Sequence, residues 1–347
     1  MVRLLAVLTF VSHVGWLSRA DDRLIRQPTN AIASVVVVAD SDATFDFQPN
    51  PARVQALLDR GLMRFAGQAT VAAAWHSLVS TQDIIGIKVF SAAGMLSGTR
   101  PAVVAAVVHG LLAAGVPPGH IIIWDQRAAD LRAAGYFKLG AELGVRVAGS
   151  VEAGYDPTNF YQPDTAIIGN LVYGDPEFGQ KGEGVGRRSF VSKLVSRQMN
   201  RIISIAPLLN QEYAGTCGHL YGLTLGSVDN TLRFANDPGR LAVAVPEIYA
   251  LPVFSDRVAL NITDALIGQY AGGDKGLLQY SEVLNQLWFS RDPVALDTLA
   301  LKELDRERRA RNAPEFKPNL TLYANAALLQ LGVNDPAKIH VEELQGN

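Results

Sequence analysis

Asp40, Lys88, Asp125, Asn210 and Asp264 each stand at or just past the carboxyl end of an apolar run in this sequence of 347 residues. Three carboxylates, an amide and an ammonium gathered on one rim could bind a small charged molecule, transfer protons or hold a cation. Each also fits a local role, because Asp at a strand end caps the next helix or closes an Asx turn. Lys88 is the most constrained of the five. It follows Ile85-Gly86-Ile87 and precedes Val89-Phe90, so its strand is apolar on both faces, as in the interior of a parallel sheet. An ammonium there is costly without a carboxylate or an anionic ligand beside it. Thr99-Arg100-Pro101 opens an apolar helix after a loop of mostly small residues. An anion at that point would meet both the guanidinium fork and free backbone N–H groups. A Thr cap, a Pro in the first turn and a solvent-facing Arg are the alternative.

Cys217-Gly218-His219 lies in a Gly-rich, polar segment with Thr216, Thr224, Asp229 and Asn230. His219 is a candidate proton carrier. One Cys and one His so close together lack the second ligand pair of a metal site, and Cys217 reads as a buried, inert thiol. His76, His109, His120 and His340 fall on helix or strand flanks and read as surface or packing residues. In Asp292-Pro293-Val294-Ala295-Leu296-Asp297, Asp292 suits a helix cap and Pro293 the first turn. Asp297, one turn further on, could hold a partner loop or a cation. Gly182-Glu183-Gly184-Val185-Gly186-Arg187-Arg188-Ser189 could wrap a phosphate, but it has neither the P-loop nor the dinucleotide spacing and reads as a flexible basic loop. Proton or metal chemistry is therefore expected of Asp125, His219 and Asp264. Lys88, Thr99, Arg100, Asn210, Thr224 and Asn230 are expected to hold the ligand, with Asp292 and Asp297 as the cation candidates.

The elements that must position these residues alternate. Ala33 to Ala39 is a β-branched strand, Arg53 to Phe65 a helix with Val54, Leu57, Leu58, Leu62 and Phe65 on one stripe, and Asp83 to Phe90 a strand. Pro101 to Ala114 is a helix ended by Gly115, and His120 to Trp124 a strand closed by Asp125. A helix around Leu131 to Leu143, a strand at Val145 to Ala148, a helix over Phe190 to Asn200 and a strand at Arg201 to Pro207 continue the rhythm. Val258 to Asp264 is a strand, Val294 to Arg311 a helix, and Leu320 to Leu344 a helix followed by a short strand. The pattern predicts an α/β fold: a doubly wound, mainly parallel sheet with helices on both faces, in which ligands bind beyond the carboxyl ends of the strands. Residues 149 to 188 are too long and too rich in Gly, Pro, Tyr and Asp for an ordinary connection, and form an inserted excursion.

Composition narrows the function. With 48% hydrophobic residues and a net charge of -2 from 31 Lys and Arg against 33 Asp and Glu, the chain can bury a large core and lacks the basic balance of a nucleic-acid partner. Arg3, the apolar stretch Leu4 to Leu17 and Ser18-Arg19-Ala20 have the order of a signal peptide. The expectation is a leader over residues 1–20, export to the periplasm or the exterior, and a single domain over 21–347 without an integral membrane span. A single Cys allows neither an internal disulfide nor a Cys-ligated iron–sulfur cluster. A small anionic molecule is the expected ligand.

Taken in order, Ile87-Lys88, Thr99 with its helix, Ile121 to Asp125, Ile203 to Pro207, Gly222-Leu223-Thr224, Asp264 with Gly272-Gly273, and Ser290 to Asp297 resemble domain-of-unknown-function family 362 through nearly the whole mature chain. That family is known mainly by its pattern; some members carry ferredoxin-type modules and some carry export signals, and this chain has no ferredoxin-type module. It also departs from the pattern. The family shows Lys-x-Asn where Lys88-Val89-Phe90 stands, and Pro-x-x-Lys-x-His where Pro207-Leu208-Leu209-Asn210-Gln211-Glu212 stands. A site built on those groups would be altered or degenerate here. Thr99-Arg100-Pro101, its helix and Ala114-Gly115-Val116-Pro117 are similar to a short part of the nickel-pincer lactate racemase family, whose cofactor requires Lys and His groups without counterparts here. Three readings follow: an enzyme for a small anion, a non-catalytic binding protein, and a racemase-like isomerase.

Overall fold

A computed structural model describes residues 32–171, 174–178 and 184–345. The expected leader lies outside the described residues, as do Gly182 and Glu183. The main sheet contains β1 (Ala33–Ala39), β2 (Ile85–Lys88), β3 (Ile121–Asp125), β4 (Arg146–Gly149), β5 (Arg201–Gln211), β6 (Val258–Gln269), β7 (Ser281–Ser290) and β8 (Ile339–Gln345), in the order β8-β1-β7-β6-β5-β2-β3-β4, with the short strand Gly215–Thr216 on β5. Only β7 runs antiparallel to its neighbours β1 and β6; the other pairings along this path are parallel. This is the expected α/β class, with a mixed and mostly parallel sheet. The β-branched runs Val35–Val38 and Ile121–Ile123 are buried in it, where branched side chains pack well on the pleated surface.

Helices cover both faces. On one, α1 (Pro51–Ala66) and α2 (Pro101–Ala113) seal a core containing Leu57, Leu58, Ile87, Ile123, Ile205 and Ile262. Asn50 caps α1 by accepting from the N–H groups of Ala52 and Arg53, and left-handed Gly67 ends it, as its open φ allows. On the other face, α3 (His219–Leu225), α4 (Pro238–Tyr249) and α6 (Leu320–Leu328) cover Ile122, Trp124 and Ile202. The long α5 (Pro293–Ala310) lies over a third cluster with Val35, Val37, Trp288 and Ile339.

The helix expected over Phe190 to Asn200 is instead a strand, Ser189–Ser192, followed by a single π turn at Leu194–Gln198. The apolar run is too short for its period to decide between helix and strand, and pairing with Tyr155–Tyr161 decides it. That two-stranded sheet and the small pair Gly169–Asn170 with Val185–Gly186 lie in the excursion region. Strands β5 and β6 extend to Gln211 and Gln269, past the expected ends at Pro207 and Asp264. Those extensions carry the carboxyl rim outward.

Candidate functional site

At the rim the charged candidates meet in two closed pairs. Lys88 Nζ lies 2.8 Å from Asp125 Oδ1 and donates to Val89 O at 2.6 Å. The second carboxylate oxygen accepts from both the N–H and the hydroxyl of Ser91, each at 2.7 Å. Gly226 packs against the pair: a Cβ there would stand 2.3 Å from Lys88 Cε and 2.8 Å from Asp125 Oδ1. Arg100 and Asp264 form the second pair at 2.9 Å, and Asp264 Oδ2 also accepts the Arg100 N–H at 2.8 Å. An acid on β6 thus binds the first turn of α2, where a negative charge is favoured. Arg100 Nη2 donates to Leu96 O and Ile267 O, while its Nε is buried without a partner. Thr99 joins the edges by accepting from Phe90 N and donating to Ile205 O. All five residues are buried, so each charge is neutralised where it sits.

A polar row crosses the interior beneath α3. Lys88, Ser204 and Asn261 are cross-strand partners on β2, β5 and β6. Over them His219 places Nδ1 2.9 Å from Ser204 Oγ and Nε2 3.1 Å from Thr263 Oγ1. Burial pushes the His219 imidazole down to about 3, so it is neutral at ordinary pH, with one ring nitrogen donating and the other accepting. Asp297 accepts from the N–H groups of His219 at 2.7 Å and Leu220 at 3.0 Å. Burial nevertheless pushes its carboxyl up to about 7, against those two bonds. Asp297 therefore joins α5 to the first turn of α3.

The remaining candidates are dispersed. Asp40 forms a turn with Asp42 N and lies 3.6 Å from Arg53. Thr224 faces α4, with Val245 O at 3.4 Å. Asn230 is left-handed at φ 49 and donates to Arg188 O. Asp292 caps α5 through Ala295 N at 2.8 Å and accepts Val333 N at 2.9 Å. Cys217 is buried and its thiol is pushed well up, chiefly by burial. His76, His109 and His340 are exposed, while His120 is partly buried. Among the described residues, no group of three His, Cys, Asp or Glu side chains could hold a metal ion.

Asn210 is different. It stands near the end of β5 beside a cleft of 430 Å³ at the carboxyl rim. Its Oδ1 accepts Gly273 N at 3.0 Å, but its Nδ2 is buried without a partner. The opposite wall is the β6–β7 connection, shaped by Gln269: Nε2 lies within hydrogen-bond distance of Ala271 O, Gly273 O and Lys275 O, and Oε1 accepts Leu277 N. Gly272 and Gly273, at φ 91 and 67, make the consecutive left-handed turn this requires. Arg308, near the end of α5, also lines the cleft. It is 5% exposed, donates to Tyr270 O and stacks 4.7 Å over the Phe316 ring. Among the described residues no carboxylate forms an ion pair with it, and burial lowers the pKa of its guanidinium. Three further clefts, two at the amino ends of strands and one beside the Tyr155–Tyr161 sheet, contain no buried side-chain atom lacking a partner.

Ser204, Asn261, Thr263, Gln269 and Arg308 were not singled out from sequence. Ser204, and Asn261 with Thr263, do carry a signal: polar residues at alternate positions of otherwise apolar strands, all on one face. Arg308 sits in a charged helix end, where nothing local marks it as buried. No protein-family model matches the chain, and no curated protein is detectably similar to it.

Proposed function

We propose that this chain binds a small anion, such as a carboxylate, in the cleft between the carboxyl ends of β5 and β6. One observation supports the reading: Arg308, buried and among the described residues without an ion-pair partner, and Asn210, whose buried Nδ2 lacks an acceptor, line the same cavity. Both are expensive in isolation, and an oxygen acceptor with negative charge would satisfy both. Exposed Lys275 on the β6–β7 connection adds a second cation at the mouth. The location follows the general rule for open parallel sheets.

Binding without turnover is the favoured form of this reading. The groups able to move protons, His219, Asp125 and Asp264, are buried and already bonded to neighbours, and none of them lines the cleft. Thermal unfolding of the full chain against a panel of small carboxylates and inorganic phosphate tests it. At least one should stabilise the protein, by about 2.7 kcal/mol at a hundred times its Kd. Arg308→Gln should abolish that shift, and Lys275→Gln, at an exposed position, should weaken it without changing the unliganded Tm. Equal stabilisation of all three proteins, or of none, would reject the site.

A further inference from the structure

Charges of both signs line the cleft without neutralising one another. Glu212, Asp274 and Glu315 share it with Lys275 and Arg308. Among the described residues none of these five takes part in an ion pair, although their side chains border one cavity of 430 Å³. An anion with no positive charge of its own would bind Arg308 and Lys275 but leave the three carboxylates unmatched, which limits its affinity. The arrangement also opposes a simple cation, which would leave Arg308 desolvated and unmatched. Nor do the acids converge as a metal site, since no cluster of three ligating side chains occurs among the described residues. A molecule that carries its own ammonium and carboxylate meets both demands.

We infer that the ligand is a zwitterion, an α-amino acid with an apolar or aromatic side chain. This rests on the anion-binding reading and names the molecule that carries the carboxylate. The carboxylate would take the donors of Arg308 and Asn210, and the ammonium would lie toward the acidic wall. Tyr280, Phe316 and Pro314 complete the lining with apolar surface. Tyr280 is held edge-on against Tyr270, with centroids 6.3 Å apart. Aromatic walls with a few placed polar groups are the common lining of small-molecule sites, whose volumes run from about 300 to 1,000 Å³.

Calorimetric titration of the full chain with phenylalanine, phenylpropanoate and phenethylamine separates the possibilities, because the three probes share a ring and differ in charged groups. Phenylalanine should bind at least about tenfold more tightly than either of the others, since each lacks one partner for a charged wall. The triple variant Glu212→Gln, Asp274→Asn, Glu315→Gln, at three exposed positions, should bring phenylalanine down to the affinity of phenylpropanoate. Phenylpropanoate binding as tightly as phenylalanine in the unaltered chain would overturn the zwitterion and leave the anion site standing. Failure of all three probes alongside stabilisation by another carboxylate would also overturn the inference. Failure of every carboxylate and of phosphate would remove the anion reading with it.

Discussion

Lys88 is the residue whose environment was most fully legible in the sequence. An ammonium inside an apolar strand demands a counter-charge, and Asp125 at the end of the neighbouring strand supplies it at 2.8 Å. A buried pair of this kind contributes little over a well-packed apolar pair, yet breaking it from one side is expensive. Lys88→Met should therefore cost about 3–5 kcal/mol by leaving the Asp125 carboxylate uncompensated. Asp125→Asn should also destabilise, and the double variant should lose less than the sum of the singles. Urea unfolding of the four proteins checks this; strictly additive losses would mean that the pair does not act as a unit. Arg308 shows the opposite case, because its burial is imposed by Phe316, in the loop after its own helix, and by Tyr270, which is remote in sequence and approaches only in the folded chain. Asn210 lies between these extremes. Its place at the end of a strand was readable, but the unanswered Nδ2 depends on where Gly273 turns. Asn210 and Glu212, two residues apart on the end of β5 and just beyond it, both line the cleft.

Local chemistry made some elements legible and not others: α5 was anticipated, whereas α4, which opens on the equally clear pair Asp237-Pro238, was not. Pro293 behind Asp292 marks the start of α5, and the cap forms as the residue types require. Strand β7 carries no comparable mark. Asn285 within it adopts φ 58, polar Glu282, Asn285 and Gln286 interrupt its alternation, and it is a strand because β1 and β6 flank it. Helix α3 is obscured in the same way: Gly218 and Gly222 suppress a helical signal that Asp297 restores from α5. The Asp292 cap does more than start a helix, since its second oxygen ties down Val333 ahead of β8. Asp292→Ala should cost about 2 kcal/mol, the upper part of the range for a lost cap, and Asp292→Ser should recover part of it by capping Ala295 without reaching Val333. Guanidinium unfolding would show the ordering; equal stability of the Ser and Ala variants would mean that the cap itself contributes nothing.

For the molecule as a whole, three buried titrating groups oppose one another. His219, at about 3 when folded and 6.5 when free, binds a proton only in the unfolded chain across that interval, so it raises stability as pH rises through it. Asp297 at about 7 and Asp229 at about 8, both from 3.8, bind protons in the folded chain above pH 4 and lower stability as pH rises. Two outweigh one, so urea midpoints should fall from near pH 4 to pH 8, most steeply once His219 ceases to contribute. Asp229→Asn, which keeps an acceptor for Phe190 N, should flatten the portion between pH 7 and 8; an unchanged slope there would remove Asp229 from the balance. The strand order has a different reach. β1, the earliest strand of the main sheet, is flanked by β7 and β8, two of the last to be made. On a ribosome adding about 5–20 residues per second, Val35 to Val38 must wait on the order of 10 s to a minute for either neighbour. Throughout that interval the nascent chain presents a β-branched segment with both edges unpaired, of the kind that holdase chaperones shield from self-association.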